Sequence, residues 1–306
     1  VTHAPDAVDV AARVLGPLAR RDEPIGPRTT YRVGGRAALF VELEEEIELP
    51  TVADAIAASG VEVFVLGKGS NTLVAEGGFG GLVLTLGSNF AEVALDPIAH
   101  VATAGAAVAL PVLARTSAAA GMRGLEWYVG IPGSVGGAVR MNAGGHGAET
   151  LTCLLDARIF RLDDAREGIR DVATLDFGYR TSALRPLDLV LEARFSTTPG
   201  ARTDAARVID EIVSWRREHQ PGGRNGGSVF TNPVGDSAGR LIDSAGLKGL
   251  RVGSAYVSEK HANFFGVDEG GSADDVKALI DIVHDRVAER TGVDLVTEIR
   301  CIGFGP

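Results

Sequence analysis

The spacing of apolar residues divides the chain into short strands and a few helices. ALFVEL (38–43) is an apolar run of strand length, whereas TVADAIAASG (51–60) changes to helical spacing. The pattern predicts a helix capped by Thr51, with Asp54 in its first turn and Gly60 at its end. VEVFVLGKGSNTLV (61–74) predicts a buried strand running into a glycine turn, and GLVLTLG (81–87) a further strand, making a local β-α-β unit. HVATAGAAV (100–108) opens a second unit, and LPVLARTSAAAG (110–121) predicts its helix. Strands are expected over LLDARIFRL (154–162) and LVLEARFS (189–196), on either side of the glycine-dense loop WYVGIPGSVGGAVRMNAGG (127–145).

Beyond about residue 201 longer helical patterns take over. Ala205, Val208, Ile209, Ile212, Val213 and Trp215 mark one helix face, ended by Pro221, Gly222 and Gly223. A second helix is expected over 271–292, with Ser272 as cap, Asp274 and Asp275 in the first turn, Val276, Leu279, Ile280, Val283 and Val287 on its apolar face, and Gly292 at its end. DLVTEIRCIG (294–303) reads as a short last strand carrying Glu298. The change of period near 195–205 is a candidate domain boundary, and no repeat or heptad is evident.

Charge and composition narrow the function classes. With 30 Lys+Arg and 40 Asp+Glu the net charge is −10, which argues against a generally basic nucleic-acid binder but leaves room for a local phosphate site. The two cysteines, Cys153 and Cys301, fit neither a disulfide framework nor a sulfur-rich metal site, and a reducing compartment follows. Without a signal-peptide pattern or an apolar run of membrane-spanning length, the expected location is the cytoplasm, with no stable membrane insertion. The 40 glycines, against a usual share of roughly 7%, cluster in loops where a backbone can approach a ligand closely.

Several clusters carry candidate chemistry. Gly67, Lys68, Gly69, Ser70 and Asn71 follow an apolar strand and suit a diphosphate cradle, with a sharp structural turn as the alternative. They match neither the P-loop nor the full dinucleotide fingerprint. Gly130, Pro132, Gly133, Ser134, Gly136, Gly137 and Asn142 form a denser loop able to lie against a large cofactor, or a solvent-facing structural loop. In Tyr179-Arg180-Thr181-Ser182, Arg180 suits a carboxylate or phosphate, or else a surface ion pair. In GSVFTNP (227–233), Ser228 suits proton transfer or a cap. Lys248, Lys260, His261 and Asn263 suit a polar ligand rim or a charged solvent rim, and Glu298 an acid or electrostatic partner, or a surface partner of Arg300 or another cation. No compact metal-ligand set is present, so no metal is expected.

The ordered series RTTYRVGG, VLGKGSNTLV, GIPGSVGGAVRMNAGG, YRTS, GSVFTNP, AGLKG, VSEKHANFF and EIR resembles the UDP-N-acetylenolpyruvoylglucosamine reductase family over nearly all of the chain after the first 20 or so residues. It looks like the shorter type, since no additional tyrosine-bearing insertion is identifiable. The resemblance implies an α+β flavoenzyme: an N-terminal segment 1–22, a two-part FAD-binding region 23–197 of the vanillyl-alcohol oxidase type with subdomains near 23–87 and 88–197, and a C-terminal α+β substrate domain 198–306. It further implies FAD as cofactor, NADPH as reducing substrate, UDP-N-acetylglucosamine enolpyruvate as acceptor, and a role in peptidoglycan synthesis. It names no protein partner.

Carried over residue by residue, the resemblance makes Arg180, Ser228 and Glu298 catalytic. It places Tyr31, Arg32 and Val33 with the two glycine loops around FAD, and Asn232, Lys248, Lys260, His261 and Asn263 on the substrate side. Hydride would reach C3 of the enolpyruvyl group, Ser228 would protonate C2, and Arg180 and Glu298 would polarise the carboxylate. Thr231 stands where many relatives carry Lys, Arg36 where proline is frequent and Asp268 where Asn is common. Another flavin-dependent oxidoreductase with a changed substrate, or an inactive FAD- or UDP-sugar-binding protein, stays open as an alternative. The intact Arg180, Ser228 and Glu298 set favours an enzyme.

Overall fold

A computed structural model describes residues 6–305, so the first five residues of the expected segment 1–22 lie outside the described residues. The fold is α+β, in two compact units that interleave along the chain. The first comprises 1–21, 38–68 and 80–215; the second comprises 22–37, 69–79 and 216–306. Compact packing therefore does not follow the continuous segments 1–22, 23–197 and 198–306. The reason is local. Tyr31, Val33 and Leu73 are buried in the same apolar core as the C-terminal residues, and Glu76 accepts the Ala273 N–H at 2.6 Å.

In the first unit, helix α1 (Ala7–Leu15), capped by Asp6 and ended at Gly16, buries Ala11 and Leu15. No helix was expected there, although Asp6, Val8, Ala11, Leu15 and Gly16 carry a start, an apolar stripe and a stop. Helix α2 (Leu49–Ser59) begins three residues earlier than the sequence pattern predicts, with Pro50 in its first turn. Thr51 and Asp54 consequently lie inside it and do not serve as its cap and first-turn acid, while Gly60 ends it in the left-handed region. A four-stranded sheet, chiefly in this unit, runs in the order Arg20–Pro24, Arg36–Leu43, Phe79–Leu86, Val63–Val65, and its last two strands are parallel with Val65 opposite Leu84.

A five-stranded antiparallel sheet follows in the order Arg166–Asp171, Leu154–Arg161, Asp188–Ser196, Val101–Gly105, Val93–Asp96. Helix α3 (Leu110–Ala119) packs with it. Part of the expected glycine loop is helical: Ser134 caps α4 (Val135–Met141), so Gly136 and Gly137 lie in a helix. Helix α5 (Arg202–His219) buries Ala205, Ile209 and Ile212, but Trp215 is exposed and meets the His146 ring edge-on at 5.2 Å. Trp215 is therefore not part of the buried face.

The second unit packs α6 (Ala238–Ser244) and α7 (Ala273–Thr291) with an antiparallel sheet ordered Asn225–Ser228, Phe264–Val267, Ala255–Val257, Arg251–Val252. Ser272 caps α7, Asp274 and Asp275 occupy its first turn, and Gly292 ends it, as the sequence pattern predicts. A two-stranded parallel ladder joins Thr72–Val74 to Arg300–Ile302. Glu298 thus precedes the last strand and is not inside it. No helix among the described residues is long and apolar enough to cross a membrane.

Candidate functional site

The first unit holds a cavity of about 560 Å³, its open mouth included, lined by Gly67, Lys68, Ser134, Gly136, Gly137 and Arg140. Leu66 N–H bonds to the Leu84 carbonyl at 2.8 Å and so fastens the chain just ahead of Gly67. The start of α4 is fastened by Val135 N–H to Val108 and Gly136 N–H to Ala106, each at 2.9 Å, and Ser134 Oγ accepts the Gly137 N–H at 3.3 Å. A Cβ on Gly67 would stand 2.7 Å from Ser134 Oγ, so a larger residue there would push that hydroxyl aside.

Among the described residues, the main-chain N–H groups of Gly67 and Lys68 donate to no protein acceptor, and the Lys68 side chain is exposed. The rest of the lining includes Leu66, Ala106, Ala107 and Val190. Unspent amides and a cation beside small apolar surfaces fit a ligand with an anionic part and a flat apolar part, as FAD has. Arg140 was missed as a candidate. It spends its guanidinium on the carbonyls of Arg185 at 3.0 Å and Asp188 at 2.6 Å. The small-residue run at 105–108 was the available signal for the Ala106–Ala107 wall.

Other expected cofactor residues stand elsewhere. Gly130 is buried where a Cβ would meet the His146 ring at 2.5 Å, Pro132 is exposed, and the Gly133 carbonyl accepts from Leu110 N–H at 3.0 Å. None of the three lines the cavity. Asn142 is the buried left-handed cap of α4; its Oδ1 accepts from Leu151 N–H at 3.0 Å, and its Nδ2 donates to Glu149 at 3.1 Å and to the Gly178 carbonyl at 3.0 Å. It shapes the turn that carries Arg180. Arg180 has a left-handed backbone (φ 59°), donates to the Gly144 carbonyl at 3.2 Å and lies 4.0 Å from Glu149, with its guanidinium over the Tyr179 ring.

In the second unit, the pairing of Asn225 with Gly266 and of Ser228 with Phe264 leaves a bulge at Gly226 and Gly227, and Gly227 has φ 77°. Bulges re-aim the side chain that follows. Ser228, half-buried, is that side chain. Next to it the Val229 carbonyl accepts the Glu298 N–H at 2.8 Å, and Phe230 bridges to Thr297. Ser228 and Glu298 are thus set on neighbouring chain segments. Asn71 reaches one of them: its Nδ2 donates to the Glu298 carbonyl at 3.0 Å.

Tyr31 and Val33 are buried in the apolar core of this unit, with the Tyr31 ring beneath Gly226, and burial pushes the Tyr31 phenol well above its usual pKa. Their side chains belong to this core. Arg32 is exposed with φ 57°. The Gly69 carbonyl accepts from Thr30 N–H at 3.1 Å, and Ser70 is half-buried.

On the expected substrate side, Asn232 accepts from Ala238 N–H at 3.0 Å and so holds the start of α6. Lys248 pairs with Asp243 at 2.8 Å, and Lys260 donates to the Arg217 carbonyl at 2.5 Å. His261 accepts from Asn263 N–H at 3.2 Å; burial, reinforced by the charge of Lys248, holds its imidazole below the ordinary pKa. The buried Asn263 amide is spent on the Phe230 backbone, so it builds the segment after Ser228. Thr231 donates to the Val296 carbonyl at 3.2 Å, Arg36 to the Asp22 carbonyl at 2.7 Å, and Asp268 pairs with Arg251. The three departures from the family pattern are each absorbed by a local contact.

Residues 219–302 match the model of the UDP-N-acetylenolpyruvoylglucosamine reductase C-terminal domain, and residues 37–163 match an FAD binding domain. The UDP-N-acetylenolpyruvoylglucosamine reductase of Rubrobacter xylanophilus is 42% identical over 94% of this chain and 97% of its own. That of Rhodopseudomonas palustris is 41% identical over 96% and 93%. The crystal structure of the Thermus caldophilus enzyme superposes with a TM-score of 0.80 at 35% identity, covering 91% of this chain and 97% of that one. The fold is accordingly an FAD-binding region of the vanillyl-alcohol oxidase type with a C-terminal α+β domain. With two domain models, full-length relatives and a full-length structural match in agreement, the chain belongs to the UDP-N-acetylenolpyruvoylglucosamine reductase family.

Proposed function

We propose that this protein reduces UDP-N-acetylglucosamine enolpyruvate to UDP-N-acetylmuramate, with NADPH as the reductant and FAD held in the cavity of the first unit. The observation that carries the reading is the placement of Ser228 beside Glu298, through the bond from Glu298 N–H to the Val229 carbonyl. When bound, FAD supplies the carrier that takes hydride from NADPH and passes it to C3 of the enolpyruvyl group. The chain's own residues do the rest.

Backbone N–H groups of Gly67 and Lys68 and the Lys68 ammonium receive the diphosphate. Ser228, re-aimed by the Gly226–Gly227 bulge, delivers its hydroxyl proton to C2. A serine hydroxyl is a weak acid in water, so this role depends on a strongly basic enolate-like carbon and on fixed geometry. Arg180 and Glu298 polarise the substrate carboxylate and stabilise the charge that builds up on it. Lys248, Lys260 and His261 form the substrate rim. Asn232 and Asn263 support that rim through the backbone bonds they make.

An anaerobic two-step experiment tests the whole reading. The FAD-loaded protein is reduced with NADPH, freed of excess reductant and mixed with UDP-N-acetylglucosamine enolpyruvate. Rapid flavin reoxidation with formation of UDP-N-acetylmuramate is expected; reduction without substrate-dependent reoxidation overturns the proposal.

A further inference from the structure

We infer that Asn71 is a positioning residue for Glu298, linking the end of the Gly67–Asn71 loop to the segment beside Ser228. This rests on the role proposed for Glu298 above. By sequence pattern Asn71 belongs with the cofactor loop, yet its side chain is turned to other work. Its Nδ2 donates to the Glu298 carbonyl at 3.0 Å, and its own carbonyl accepts the Arg300 N–H at 3.0 Å. One residue therefore grips the chain on both sides of Ile299.

The opposite edge of the same segment is held by the Val229 carbonyl, which accepts from Glu298 N–H at 2.8 Å and from Ile299 N–H at 3.4 Å. Glu298 is thus clamped between Val229, the neighbour of Ser228, and Asn71. Ile299 is buried and meets the position a Cβ on Gly226 would occupy at 3.0 Å, so shifts of this segment bear directly on the bulge that aims Ser228. Glu298 lies just ahead of the final strand, Arg300–Ile302. The Asn71 side-chain bond adds a restraint there on the Glu298 carbonyl. Displacements of about 1 Å at a reacting group are enough to cost on the order of a hundredfold in rate.

The test compares wild type with Asn71→Asp, which keeps the shape but exchanges a donor for an acceptor, with Asn71→Ala, and with the double variant N71D/E298Q. Both single variants should keep their flavin-to-protein ratio and a rate of reduction by NADPH within about twofold of wild type, while reoxidation by the enolpyruvyl substrate falls about 10- to 100-fold. N71D/E298Q should be no slower than E298Q, because the two changes act on one group. Unchanged reoxidation, losses that multiply, or a parallel loss of flavin would each overturn the inference, the last making Asn71 a cofactor ligand. Hydrogen exchange gives a readout that does not depend on turnover. In N71A the amides of 298–300 should exchange faster at an unchanged global unfolding midpoint, and unaltered exchange there refutes the clamp. Failure of wild-type reoxidation would instead refute the proposed function.

Discussion

Asn263 brackets Phe230: the Phe230 N–H donates to Asn263 Oδ1 at 3.0 Å, and Asn263 Nδ2 donates to the Phe230 carbonyl at 2.8 Å. A buried side-chain amide thus satisfies both main-chain groups of a residue two places beyond Ser228. Removing it leaves a buried donor and acceptor unpaired, at about 1–3 kcal/mol for each such group. Asn263→Ala should therefore lower the denaturant midpoint of unfolding substantially, and a midpoint equal to wild type would mean that Asn263 has no scaffold role.

Gly67→Ala should impair flavin retention. The added Cβ would fall 2.7 Å from Ser134 Oγ, forcing the hydroxyl that caps α4 to move, with a cap loss of about 1 kcal/mol. Gly80→Ala is the control, since a Cβ there meets nothing within 4 Å. The comparison is made on the flavin-to-protein ratio after gel filtration. G67A/S134A should recover part of the flavin that G67A loses, and equal retention in G67A and G80A would rule out the close approach as the cause.

Ser228→Ala separates the two half-reactions. Reduction of the flavin by NADPH should proceed as in wild type, whereas reoxidation by substrate should slow by about 10²- to 10⁴-fold, the range expected for a lost proton donor. Stopped-flow absorbance of the flavin reads both steps. Reoxidation at the wild-type rate would remove Ser228 from the reaction.

His261 predicts the sign of a pH effect. Burial favours its neutral form, so the folded protein binds the proton less readily than the unfolded chain. Its contribution to stability is fully present above the unfolded imidazole pKa of about 6.5 and is lost as pH falls through the lower folded value. Stability curves of wild type and His261→Gln should converge toward acid pH. A gap that stays constant from pH 7 to below 5 contradicts the assignment.

Much of the fold was legible in particular residues. Ser272, Asp274, Asp275 and Gly292 mark both ends of α7 because caps and dipole partners act within a turn of the helix they serve. Thr51 lies inside α2 because Leu49 and Pro50 already start that helix, and Ser134 caps a short helix within the glycine loop despite two glycines. Trp215 followed the apolar period of α5, yet its ring lies at the surface against His146. Periodicity reports which face a residue is on and cannot report what that face meets.

By itself the sequence determined the elements, the glycine turns and the order of motifs that mark the family, because each is written in residues close together along the chain. Only the tertiary structure decided which unit each motif joins and what each polar side chain is spent on. Asn71, Asn142 and Asn263 look alike as loop asparagines, but each is committed to backbone groups remote in sequence or across a turn. That Tyr31 and Val33 are buried with residues more than 190 positions away is decided in the same manner. A hydrogen bond or a buried contact is set by position in space, and the side chain of Asn71 finds its acceptor at residue 298.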